Sequence, residues 1–475
     1  MLIGMVAGII NTRLLGPKNF GIWITATIIF FYLPFFNFGV DYGANQEIPL
    51  WRSRHRPEEA DEVKRVYFTF ALLFIIPAAL AVVIFTWLVS LEPLLAWSLR
   101  VVALMGIIAS LTRWAVIVLK SENQFGRAGM VEVCDPLGRL LACPLIYLLG
   151  LPGMWFGSLA ALVLGAGLGW RSTGFRLRFS LKWSILWRLA RFGFPVMLTS
   201  IVQVLSFTGD RMLVLGFLGT AALGLYGLGQ AFTQVLVVSG GVIGPVLYPR
   251  LTERYGQTQD PASLITLLVV PTMMTGIFMA LLLPFAWFGL PVFIHWLLPA
   301  FREATLPAKI MFLSMAIYLM NGTAPYLLLA LAKQTLALVL FAGGVALGLG
   351  LEYAALHLGW GLPGVAAGGA FSNLCYYLIA MVVALHCCRT CRREQVGIVL
   401  RALVPILLVT MTCLVLDWVW PLALAAQLGE VVREALLRFT LAILAGIPGS
   451  VLLLNYVWPQ WHKGVWQKES VISWR

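Results

Sequence analysis

Residues Val66 to Val89 read VYFTFALLFIIPAALAVVIFTWLV, and none of them is charged. A helix needs about 20 such residues to cross the hydrocarbon core of a bilayer, whereas a strand of a membrane barrel would alternate apolar and polar over ~10. Leu264 to Phe285 and Ala402 to Leu416 repeat the pattern. Across the 475 residues, 60% are hydrophobic and 11% charged, with a mean hydropathy of +0.90. A soluble domain carries about a quarter charged residues, so this chain lacks the polar surface to cover a globule in water. The expected class is therefore all-α: a polytopic membrane protein.

Breaking the apolar windows at charged and Pro/Gly-rich stretches predicts about fourteen spans. Two pseudo-twofold six-helix lobes are expected, 1–187 and 188–388, followed by two further helices and a tail in 389–475. With the N-terminus inside, cytoplasmic loops and tail hold 23 of the 33 Lys and Arg, and outer loops hold 7, Lys309 and Arg438 among them. That bias places both termini in the cytoplasm by the positive-inside rule. The net charge of +13 thus reports orientation rather than a nucleic-acid partner. None of the 7 cysteines falls in a predicted outer loop, which argues against structural disulfides. Cys387, Cys388 and Cys391 contain one C-x-x-C without a second pair, a weak zinc signal. No loop exceeds roughly twenty residues, leaving no room for an extramembrane catalytic domain. Neither an enzyme nor a cofactor is expected, and nothing resembles a phosphate-binding loop.

Two segments match at corresponding places in the two six-span blocks. Leu14-Leu15-Gly16-Pro17-Lys18-Asn19-Phe20-Gly21-Ile22-Trp23 aligns without gaps to Phe217-Leu218-Gly219-Thr220-Ala221-Ala222-Leu223-Gly224-Leu225-Tyr226. Each is predicted to form a tight outer turn, with glycine permitting the backbone reversal. Six spans return the chain to the same side, so the copies share an orientation and are related by an axis along the membrane normal. The first span, Met1 to Leu15, is short for a crossing, and an upstream segment is expected to complete it.

Ionisable groups at bilayer depth are costly and mark function by default. Thr199, Gln203, Ser206 and Asp210 recur at steps of four, three and four, one face of the seventh span, with Arg211 about 100° away. Asp210 is read either as a proton or cation-coupling group and Arg211 as an anion contact, or each as the partner of a neighbouring helix. Glu132, Asp135 and Arg139 share a face of the fifth span, where Asp135 and Arg139 have the spacing of an intrahelical ion pair. Ser314, Tyr318 and Asn321 on the tenth span suit sugars or interhelical hydrogen bonds. Gate candidates are Arg13, Asp41, Glu47 and Arg113, of which Arg13 and Arg113 are also placed to snorkel to the interface.

The stretch Thr12 to Trp23, Arg191-Phe192-Gly193-Phe194-Pro195 leading to Asp210-Arg211-Met212-Leu213, Gly224-Leu225-Tyr226, Pro245-Val246-Leu247-Tyr248-Pro249-Arg250 and Trp296 to Ala304 resemble the polysaccharide-lipid (Wzx-type) flippases of the multidrug/oligosaccharidyl-lipid/polysaccharide exporter (MOP, MATE-like) superfamily. The resemblance covers the first twelve spans in order. It implies alternating access around undecaprenyl-diphosphate-linked oligosaccharide in a bacterial or archaeal cytoplasmic membrane, with H+ or Na+ as coupling cation and polysaccharide-assembly proteins as partners. Competing expectations are a multidrug/cation antiporter of the same superfamily and a membrane-embedded polysaccharide polymerase or glycosyltransferase. The antiporter would favour acidic cleft residues, whereas the intramembrane inventory here has at least as much Arg as Asp and Glu.

Overall fold

The computed structural model describes residues 2–174, 179–240, 243–420 and 428–465, and all regular structure among them is helical. Fifteen α-helices follow in order: α1 (Leu2–Tyr32), α2 (Val40–Ser53), α3 (Pro57–Leu88), α4 (Pro93–Ser121), α5 (Phe125–Leu149), α6 (Leu151–Thr173), α7 (Trp183–Gly240), α8 (Ile243–Thr258), α9 (Ile265–Leu297), α10 (Thr305–Met320), α11 (Ala324–Ala330), α12 (Gln334–His357), α13 (Gly361–Cys387), α14 (Arg392–Val419) and α15 (Leu428–Val465). Eleven helical segments among the described residues are long and apolar enough to cross a membrane. Helix α3 shows how such a span begins. Pro57 occupies its first turn with φ already helical, and Glu58 and Glu59 sit at the positive end of the helix dipole.

Helical geometry fails at the two glycines that the internal repeat aligns. Gly16 inside α1 has φ 68° and ψ 172°, and Gly219 inside α7 has φ 82° and ψ −176°. Both lie in a region of backbone space essentially reserved for glycine. The two copies therefore share a conformation as well as a sequence.

The chain divides into two compact units, Met1–Gly224 and Leu225–Arg475. In the first, α2, α3, α4 and the start of α7 close around Val63, Val66, Tyr67, Phe70, Trp114 and Leu189. Trp114 stacks edge-on against Phe68 at 5.3 Å and donates its indole N–H to the Lys64 carbonyl at 3.2 Å. The Lys64 ammonium is itself nearly buried and pairs with Glu122 and Asp61, both at 2.7 Å.

The second unit is built on α9, which is apolar all round and buries most of its length, leaving Phe278, Leu281 and Phe285 exposed on one face. Helices α10, α14 and α15 pack against it. Here one reading of the sequence is corrected: Lys309 and Arg438 are helix residues folded into the protein, not outer-loop charges. Lys309 Nζ and the Trp287 indole N–H both reach Asp417 Oδ2 at 2.7 Å. Arg438 has no exposed surface, pairs with Glu434 at 2.8 Å and lies 3.9 Å from Asp417. Glu434 and Arg438 stand one helical turn apart, whereas the partners of Asp417 are remote from it in the chain. Because removing one member strands the others, Arg438→Leu is expected to destabilise the unit by about 3 kcal/mol, read as a lowered unfolding temperature in detergent.

Candidate functional site

The site forms where the chain leaves α1. Leu33 to Asn37 tighten into a 3-10 turn, then Phe38 and Gly39 take left-handed conformations with φ 54° and 80°. The Asn37 side-chain oxygen accepts the Gly39 N–H at 2.9 Å, which fixes the corner. The corner turns Asp41 inward on the first turn of α2, where the helix dipole favours a carboxylate.

Asp41 is 2% exposed; its Oδ2 lies 2.8 Å from Arg113 Nη2 on α4, and its Oδ1 accepts the Tyr42 N–H at 2.9 Å. Arg113 keeps 42% of its side chain open. The opening is a cavity of about 490 Å³, whose lining includes Asn37, Tyr42, Tyr67, Ser110, Ser200 and Gln203 beside Arg113. Phe30, Phe31, Phe35 and Phe207 supply apolar walls. Arg113 is the one charged side chain in that lining. Tyr42 donates its hydroxyl to Ser200 Oγ at 2.8 Å, and Ser200 donates onward to the Val196 carbonyl. Tyr32 reaches Thr208 at 2.9 Å; since the Thr208 proton goes to the Val204 carbonyl, Tyr32 is the donor.

Along α7 the cavity is bracketed by two close backbone contacts. On one side a Cβ at Gly21 would collide with the Thr220 carbonyl, and a Cβ at Gly224 with the Pro17 carbonyl. Since Pro17 aligns with Thr220 and Gly21 with Gly224, the contact is reciprocal, as across a local twofold axis. On the other side Gly39 meets Gly193 and Gly43 meets Leu189, again backbone to backbone. Beside them Arg188 grips Glu47 with both edges of its fork, Nε to Oε1 at 2.7 Å and Nη2 to Oε2 at 2.8 Å, and Trp51 donates to Glu47 at 3.2 Å. Arg188 is half exposed, so the pair is screened. Glu47→Gln is expected to loosen this end by on the order of 1 to 2 kcal/mol, roughly tenfold in population. A cysteine placed at Ala109 in the cavity would then react about tenfold faster with a water-soluble maleimide.

Of the residues singled out in the sequence, Gln203 and Arg113 line the cavity, Asp41 stands behind Arg113, and Glu47 lies in the adjoining contact. The face of α7 that meets the cavity carries Ser200, Gln203, Val204 and Phe207. Thr199 and Ser206 return their hydroxyls to the helix, bonding the Val196 and Gln203 carbonyls at 2.7 Å. The Asp210 carboxylate accepts the Arg211 N–H at 2.7 Å. On α5, Asp135 and Arg139 pair at 2.6 Å at the predicted spacing, and Glu132 pairs with Lys120 at 2.6 Å. Arg13 is exposed. In the second unit Ser314 accepts from Asn373 at 2.9 Å, Tyr318 stacks on Tyr376, and Asn321 is buried at the break after α10. Cys387 accepts from Lys333 at 3.2 Å, and all seven cysteines are free. Asn37, Tyr42, Tyr67 and Arg188 were not anticipated. The first three are ordinary residues at a helix end or in a core, and Arg188 reads as one more cytoplasmic charge.

The bundle of apolar helices that carries this glycine-bracketed cavity is a fold shared with solved membrane-transporter structures. The chain is similar to a multidrug resistance MATE family transporter of the MOP superfamily in its inward-facing conformation, with 14% identity, a TM-score of 0.67, and coverage of 84% of this chain and 94% of that one. It is similar also to the lipid II flippase MurJ in an inward closed conformation, at 15% identity and TM-score 0.68, covering 97% and 98%. A third likeness is to a MOP superfamily transporter from Pyrococcus furiosus, at 14% identity and TM-score 0.52, covering 81% and 93%. No curated protein matches by sequence. The family model described as polysaccharide biosynthesis protein matches residues 10–289, and the chain belongs to that family.

Proposed function

We propose that this protein flips a polyprenyl-diphosphate-linked oligosaccharide across the cytoplasmic membrane by alternating access, changing no bond in its substrate. The observation that carries the reading is Arg113, a half-open guanidinium in a cavity otherwise lined by aromatic, hydroxyl and amide groups. Arg forms a bidentate fork with phosphate oxygens, and aromatic faces with neutral polar groups suit sugars, while the polyprenyl tail stays in lipid. Family membership supports the same substrate class.

The proposal takes α5 as a crossing and counts the halves of α1 and α7 on either side of Gly16 and Gly219 separately, which brings the eleven apolar segments to fourteen. These form two six-helix lobes, 1–187 and 188–388, with α14 and α15 in addition and both termini cytoplasmic. The contact at Gly21 and Gly224 then seals the outer side, and that at Gly39 and Gly193 the inner. The remaining singled-out polar residues, Thr199, Ser206, Asp210, Arg211, Glu132, Asp135, Arg139, Ser314, Tyr318 and Asn321, belong to surfaces exposed or rearranged as the lobes rock.

A second reading, export of cationic drugs in exchange for a cation, is favoured by the buried carboxylate of Asp41. Depletion in a native host separates the two. The flippase reading expects lipid-linked oligosaccharide to accumulate on the cytoplasmic leaflet with unchanged sensitivity to cationic dyes. Increased dye sensitivity without that accumulation would favour the antiporter.

A further inference from the structure

The Asp41–Arg113 pair is asymmetric. Asp41 is 2% exposed and enclosed by protein, whereas Arg113 keeps 42% of its side chain open and lines the cavity, with its Nη2 2.8 Å from Asp41 Oδ2. With no substrate the two charges cancel, so the empty cavity is electrically neutral. A diphosphate gripped by the guanidinium from the cavity side changes that balance. We propose that binding of a diphosphate at Arg113 is accompanied by uptake of one proton onto Asp41. The inference rests on the flippase reading and assigns that site its charge-balancing partner.

The step balances simply: a diphosphodiester dianion and one proton from water enter, Asp41 becomes a neutral acid, and no covalent bond of the lipid changes. Its driving force is like-charge repulsion. A phosphate on the far edge of the guanidinium sits roughly 6 Å from the carboxylate, and at an effective dielectric of about 20 each negative charge there raises the proton affinity of Asp41 on the order of a hundredfold. Burial adds in the same direction, because an unpaired carboxylate cannot be solvated there. The other titratable side chains around Asp41 are Tyr42 on its own helix and Tyr67 on α3, and Arg113 is the cation that pairs with it. Helix α7 contributes only Ser200 and Gln203 as polar lining. Release of the lipid restores Arg113 to Asp41 and expels the proton.

The test uses the full chain in lipid nanodiscs and a short-chain polyprenyl diphosphate bearing one N-acetylglucosamine, a diphosphodiester that does not titrate near neutrality. Titration calorimetry at pH 7 in buffers of different ionisation enthalpy counts the protons. The expected result is roughly half to one proton taken up per probe bound, with Kd rising by about three- to tenfold per pH unit around neutrality. Asp41→Asn should bind with no proton uptake and no such pH dependence. The wild-type proton count stands even if that variant folds poorly. Binding without proton uptake, or equal uptake by Asp41→Asn, would overturn the proposal and leave the flippase reading intact. Absence of binding would overturn both.

Discussion

Replacing Gly21 with valine is expected to reduce transport at least tenfold while leaving the helices folded. A Cβ at this position already falls on the Thr220 carbonyl, and what it meets is backbone, which cannot rotate aside as a side chain would. Overpacking of this kind costs about 1 to 3 kcal/mol, and here the strain is relieved simply by parting the two turns. Two stepwise consequences follow. The population closed at this end falls by roughly ten- to a hundredfold, and a cysteine at Ser110 in the cavity becomes correspondingly more reactive to impermeant reagents added outside. Gly224→Val should behave the same way, since its Cβ meets the Pro17 carbonyl in the reciprocal contact. Gly216→Val is the control, with no atom within 4 Å of its added Cβ. Equal transport by Gly21→Val and Gly216→Val would remove the outer seal from this account.

The second large effect is expected at Arg113. Arg113→Gln removes the one charge in the cavity lining and leaves Asp41 buried without its counter-ion, so transport should fall about a hundredfold and stability should fall as well. The two consequences separate in the double variant Arg113→Gln with Asp41→Asn. Neutralising both partners removes the stranded carboxylate, so the unfolding temperature should recover most of its loss while transport stays low. Arg113→Lys should fall between, because an ammonium keeps the charge but not the planar fork. Recovery of transport in the double variant would mean that Arg113 serves only to neutralise Asp41.

How much of this was legible in the sequence depends on distance along the chain. Spans such as α3 and α9 declare themselves through composition, because a helix in lipid needs little more than a long apolar run. The glycine turns declare themselves through repetition, and Gly16 and Gly219 adopt one backbone conformation. Asp135 and Arg139 were readable because four residues is the geometry of a helix turn. The Asp41–Arg113 and Glu47–Arg188 pairs were not, since no local spacing connects α2 to α4 or α7. On α7 the polar periodicity found Gln203, yet the cavity also takes Ser200, Val204 and Phe207. Small hydroxyls such as Thr199 and Ser206 can satisfy themselves on the preceding turn and so carry little information about which face is wet. Lys309 and Arg438 show the same limit from the other side. Counting charge assigns them to loops, and only packing reveals that Asp417 and Glu434 draw them inside.

The most direct test reconstitutes the purified protein in vesicles containing a fluorescent polyprenyl-diphosphate-linked oligosaccharide and follows its protection from an added glycan-cleaving enzyme. The account predicts movement between leaflets that is at least tenfold faster than in empty vesicles and is lost in Arg113→Gln. Movement no faster than in empty vesicles, from protein that exports a cationic dye under the same conditions, would contradict it.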